Sequence, residues 1–146
     1  MAEAEKYTFT AVMTFLVKLE ERLAEFYSRL ASEVDSQELA ELLSNFAEKN
    51  REWRDTLDRV RRETVLEMTL EPIMGLQLKR FEDEINSIID SSLGPVEKAV
   101  QLEQKLQELY KKASAKVLHS SADASIVLDR LVRECRKRRE KLSKFM

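Results

Sequence analysis

Apolar residues recur every three or four positions along four long segments of this chain, and that spacing commits most of it to amphipathic helices. In the first segment Phe9, Val12, Leu16, Leu19, Leu23, Phe26 and Leu30 draw one stripe, which predicts a helix from about Thr8 to Ser32. At 1.5 Å per residue such a helix is about 35 Å long. Asp35 and Glu38 read as a capping box opening a second helix over about 36–64. Its stripe is Leu39, Leu42, Phe46, Asn50, Trp53, Leu57 and Val60. A third helix is expected over about 95–119, with Val96, Ala99, Glu103, Leu106, Tyr110, Ala113 and Val117 in line. Ser120, Ser121 and Asp123 mark a turn and cap. The fourth helix, over about 123–145, carries Leu128, Leu131, Cys135, Arg138, Leu142 and Phe145.

Breaks are few. The chain has two glycines and two prolines, all between Pro72 and Pro95. A sandwich, a barrel or a Gly-rich nucleotide-binding fold needs more turn residues than that. Glu71-Pro72 interrupts the helical pattern and Gly75 adds a second break. Leu76 to Asp90, with Phe81, Ile85, Ile88 and Ile89 apolar, is read as a possible short extra helix. Gly94-Pro95 ends one helix and opens the next. The two short connections predict two antiparallel hairpins, and the stretch 65–94 is a long crossover between them. The 146 residues are expected to form a single all-α domain, an antiparallel four-helix bundle spanning 1–146.

Charge and residue inventory narrow the chemistry. Twenty-five basic and 27 acidic residues leave a net charge of −2, which argues against a globally nucleic-acid-binding chain. The one cysteine, Cys135, excludes a disulfide framework or a Cys-rich zinc site. His119 is the only histidine, so neither a two-His motif nor a Ser/His/Asp triad is supported. Met1 to Lys6 is polar and acidic, unlike a signal peptide, and no apolar run approaches the roughly 20 residues of a membrane span. The expectation is a cytoplasmic protein with no membrane partner.

The two halves resemble each other. Leu19-Glu20-Glu21-Arg22-Leu23-Ala24-Glu25-Phe26-Tyr27 aligns with Leu102-Glu103-Gln104-Lys105-Leu106-Gln107-Glu108-Leu109-Tyr110, with Leu, Glu, Leu, Glu and Tyr recurring in place. Phe46 to Leu57 aligns more weakly with Leu131 to Leu142. A Glu at a core position followed by Tyr seven residues later, repeated once, resembles the rubrerythrin-like branch of the ferritin-like superfamily. The resemblance covers the four helices and not the crossover. It implies a ferritin-like bundle in which each first helix supplies a Glu and each partner helix a Glu-x-x-His, together holding two irons. Glu20 and Glu103 match the first-helix positions. The partner-helix motif reads Asn50-Arg51-Glu52-Trp53 in one half and Cys135-Arg136-Lys137-Arg138 in the other. Four of the six ligands the family uses are therefore replaced.

Two carboxylates cannot hold two divalent ions in a core, Trp53 offers no lone pair to a metal, and Arg138 repels a cation. No cofactor is expected, nor any oxidase, peroxidase or iron-storage activity that depends on one. A buried carboxylate needs a partner. Arg138 is expected to supply it to Glu20, Glu103 or both, with Asn50, Tyr27 and Tyr110 donating hydrogen bonds. One Glu is then in excess, to be protonated or to reach solvent. The side chains singled out as a residual polar site are thus Glu20, Tyr27, Asn50, Trp53, Glu103, Tyr110, Cys135 and Arg138. The competing reading is a metal-binding or redox protein using iron or manganese at an altered site around Glu20 and Glu103.

Other features have simpler readings. Eight Lys and Arg against three acids between Asp129 and Met146 make the last helix basic. A solvated helix end favoured by its macrodipole is preferred here over a nucleic-acid surface, because no aromatic residues interleave the charges. Cys135 reads as a small buried hydrophobe and Trp53 as a core filler. Met68, Leu70, Ile73, Met74 and Leu76 cluster around Pro72, either packed on the helices or forming a patch for a partner. The function expected is non-catalytic: a helical protein acting through self-association, a homodimer first, or through a protein partner.

Overall fold

A computed structural model describes residues 5–64 and 71–146. The order is β1 (Lys6–Tyr7), α1 (Phe9–Glu33), α2 (Gln37–Glu63), β2 (Ile73–Met74), α3 (Leu78–Ile89), α4 (Pro95–Val117) and α5 (Ala122–Leu142), followed by a 3-10 turn over Ser143–Phe145. Among the described residues the secondary structure is helical apart from one short ladder, in which β1 pairs antiparallel with β2 through Lys6 opposite Met74 and Tyr7 opposite Ile73. No helix among the described residues is long and apolar enough to cross a membrane. The structure divides into two compact units, one holding Thr10–Glu63 and the other the chain up to Phe9 and from Thr64 onward.

The unit of α1 and α2 is a helical pair. Arg61 donates to Thr14 Oγ1 at 2.9 Å and Arg51 to Ser28 Oγ at 3.1 Å, so early α1 lies beside late α2 and the helices run antiparallel. Every member of the α1 stripe, from Phe9 to Leu30, is buried. Each fully buried Leu, Val or Phe contributes about 1.5–3 kcal/mol of transfer free energy. On α2, Leu43 is buried where the spacing favoured Leu42, which is half-buried. The helix start also differs from expectation. Ser36, not Asp35, is the cap, because its Oγ accepts from the Leu39 amide at 3.2 Å.

The second unit is built on α4 and α5, with α3 against α4. Pro95 sits in the first turn of α4, where its missing amide costs nothing, after Gly94 in an extended conformation. Ser121 caps α5 by accepting from the Ala124 amide at 3.0 Å. Both helices end short of the expected bounds, α4 at Val117 and α5 at Leu142. The last turn of the chain tightens into the 3-10 form that commonly closes a helix. The stretch after Gly75 does form a helix, α3. It is joined to α4 by a Lys105–Glu84 ion pair at 2.9 Å and by Lys112, whose Nζ lies 5.9 Å from the centre of the Phe81 ring. Hydrogen bonds from Lys105 and then Arg80 hold the Glu84 carboxyl below its ordinary range. Near the start of α3, burial pushes the Tyr7 phenol up to about 12, helped by its hydrogen bond to Glu5.

The turn between β2 and α3 bends through two left-handed residues, Gly75 at φ 75° and Gln77 at φ 58°. Such a backbone is cheap for glycine and costs a non-glycine residue about 1 kcal/mol or more. The apolar cluster around Pro72 is divided: Ile73 and Leu76 are buried, whereas Met74, the next residue of β2, is 43% exposed. Met68 and Leu70 lie outside the described residues.

Candidate functional site

The polar positions in the apolar stripes are inside the protein. Glu20 and Glu103 are both 0% exposed, Asn50 is 1% and Arg138 3%. The prospect that one surplus carboxylate reaches solvent is therefore excluded, and each must be met by protein groups.

Within the α1–α2 unit, Asn50 Nδ2 donates to Glu20 Oε2 at 2.6 Å. The geometry follows from the stripes: Glu20 sits between Leu16 and Leu23 on the inward face of α1, and Asn50 between Phe46 and Leu57 on that of α2. Tyr27, two turns after Glu20, is fully buried. Its ring meets Phe46 edge-on, with centroids 5.3 Å apart at 77°, and Phe26 at 5.2 Å and 62°. Edge-on pairs of this kind add about 0.5–1.5 kcal/mol beyond area burial. Trp53 departs from expectation. It is half-buried on the flank of α2 rather than a core filler, because a 3.6-residue period carries position 53 away from the line through Asn50 and Leu57.

Within the α4–α5 unit, Arg138 Nη1 stands 3.5 Å from Glu103 Oε2, and both side chains are almost fully enclosed. One carboxylate partner of this guanidinium is thus on its own hairpin. Cys135, one turn before Arg138, is buried and carries no disulfide. Tyr110 is buried two turns after Glu103, mirroring Tyr27 after Glu20. His119 is exposed in the turn after α4, away from these contacts.

Two polar contacts gave no signal in the stripe pattern. Ser114 Oγ donates to Asp129 Oδ1 at 2.5 Å and lies 2.9 Å from Ser125 Oγ, whose hydroxyl donates to the Ser114 carbonyl at 3.0 Å. This network locks the end of α4 to the start of α5. Farther along the same pair, Arg139 donates to Gln107 Oε1. Beside that contact is an open cleft of about 250 Å³ bordered by Gln104, Gln107, Glu108, Lys111 and Arg139.

The pattern common to both helical pairs is a buried carboxylate on one helix met by a polar side chain of the next. The donor set does not fit a di-iron centre: of the six ligand positions implied by the resemblance, four carry Asn50, Trp53, Cys135 and Arg138. A guanidinium stands 3.5 Å from Glu103 Oε2 and would repel a cation there. Among the described residues, no group of three or more His, Cys, Asp or Glu side chains is arranged to hold a metal ion. No family model, curated protein or solved structure matches the chain.

Proposed function

We propose that the chain is a ferritin-like four-helix bundle, of rubrerythrin-like descent, in which the metal-ligating positions have been turned into internal fastenings. On this reading it is not a catalyst. It acts as a structural protein, by forming a homodimer and by presenting helical faces to a protein partner. The observation that carries this reading is the buried Arg138–Glu103 pair at 3.5 Å. In the aligned motif Arg138 takes the place of a metal-binding His and Glu103 that of a first-helix ligand, so a fixed positive charge stands in for the ion. The 2.6 Å bond from Asn50 to Glu20 supports it from the other half, where Asn50 takes the place of a ligand Glu.

A metal titration tests the proposal. A ligand present at a hundred times its Kd stabilises a protein by about 2.7 kcal/mol, which raises Tm by several degrees for a domain of this size. Iron(II) or manganese(II) added to the purified protein is expected to leave Tm unchanged, and elemental analysis to find no stoichiometric metal. About two irons per chain, or a Tm that climbs with added metal, would overturn the proposal. Light scattering on the same samples is expected to report twice the 17.0 kDa chain mass. A monomer at all concentrations would remove the homodimer from the reading.

A further inference from the structure

The outward face of α5 carries more positive charge than a helix end requires. Arg130, Arg133, Lys137 and Lys141 follow one another at steps of three, four and four residues, which places them along one side of the helix. All four are exposed, as is Arg136 beside them. The line runs about 16 Å at 1.5 Å per residue. The helix macrodipole explains only cations of the last turn. That covers Arg139 and Lys141 of α5, whereas Arg130 and Arg133 stand in its middle turns.

Several cations of α2 and α3 are neutralised in place. On α2, Lys49 pairs with Glu52, Arg54 with Asp55, and Arg61 and Arg62 with Asp58. On α3, Lys79 pairs with Asp83 and Arg80 with Glu84. On the α5 face the one such pair is Lys137 with Glu134, at 3.5 Å. Arg130, Arg133, Arg136 and Lys141 have no carboxylate within 4 Å among the described residues. Asp129, the acid nearest Arg130 in the chain, is already engaged by Ser114. Glu140 flanks the face as its remaining acid. Like charges held in a row on one rigid helix repel one another, and a complementary polyanion relieves that repulsion.

We propose that this face of α5 is a docking surface for duplex nucleic acid, contacting the phosphate backbone without reading sequence. A straight row of guanidinium and ammonium groups matches a rigid rod of regularly spaced phosphates. Aromatic side chains, which single-stranded binding uses to stack bases, are absent from the row. The inference goes beyond the structural role proposed above and does not depend on it, since every residue involved lies on the surface of one helix.

The test is fluorescence anisotropy with a labelled duplex DNA of arbitrary sequence, titrated with the full chain at two salt concentrations. Four phosphate contacts give a slope of about −3.6 in log K against log salt, so affinity is expected to fall about a hundredfold between 50 and 200 mM. The variant R130Q/R133Q/K137Q/K141Q is expected to lose this binding while keeping its helical circular dichroism. The single variant Arg133→Gln is expected to reduce the slope by about one unit. A control on α2, K49Q/R54Q, is expected to bind as the parent does. No binding at 50 mM salt, or a slope unmoved by Arg133→Gln, would overturn the proposal. So would equal or tighter binding to polyglutamate or to vesicles containing anionic lipid at the same salt.

Discussion

Replacing Arg138 with methionine is expected to destabilise the protein by about 3 kcal/mol, one of the largest losses available to a single substitution here. Breaking a buried ion pair by removing one partner typically costs about 3–5 kcal/mol, because the remaining charge is left in a medium that solvates it poorly. Glu103 is 0% exposed. The 3.5 Å separation is longer than the 2.7–2.9 Å typical of a directed charge-assisted bond, which places the expected loss at the lower end of the range. Urea denaturation of Arg138→Met, Glu103→Leu and the double variant separates the terms. The double variant is expected to recover most of the loss, since a buried pair exchanged for apolar side chains is often neutral or stabilising. A single variant within about 0.5 kcal/mol of the parent would show that this pair does not fasten α4 to α5.

Asn50→Leu is expected to cost about 2–3 kcal/mol. Leucine is close to asparagine in size, so little of the loss comes from a cavity. The loss comes from removing an amide donor that holds Glu20 Oε2 at 2.6 Å inside the α1–α2 pair. Hydrogen bonds to charged groups contribute about 1.5–3 kcal/mol, and a buried acceptor deprived of its donor costs at least as much. The shift in urea midpoint, measured at constant m, reads this loss. Asn50→Leu paired with Glu20→Leu is expected to regain stability, as the apolar pair leaves no polar group to satisfy. If Asn50→Leu left the midpoint where it was, the contact would be replaceable and Glu20 held by other groups alone.

The helices were legible because their apolar residues repeat at the helical period over many turns, and the inward direction of Glu20, Asn50, Glu103 and Arg138 was legible for the same reason. A polar residue in register with leucines has to be inside. The limits of this reasoning are angular. Neighbouring residues on a helix differ by about 100°, so at the edge of a stripe the pattern does not choose between Leu42 and Leu43, and Trp53 falls outside the core. One residue of slip likewise separates Asp35 from Ser36, the cap that the Leu39 amide uses. The Ser114–Ser125–Asp129 network left no mark in the sequence, because serine beside Ala113 resembles any small residue on a helix flank. Cations on α5 were visible as a count. Which of them are exposed and lack a carboxylate neighbour depends on side-chain placement that composition does not contain.

The small ladder of β1 and β2 sets an order of events. Tyr7 precedes α1 and α2 in the chain, yet its partner Ile73 follows only after the whole of both. During synthesis the helical hairpin can therefore close on itself, through contacts such as Asn50 with Glu20, while the first strand still waits. Loop-closure entropy rises only with the logarithm of length, so the wait itself adds little to the final stability. Its effect is on timing: the strand made first is paired after the hairpin behind it, and the ladder closes the ring that makes the α1–α2 hairpin an insertion within the other unit.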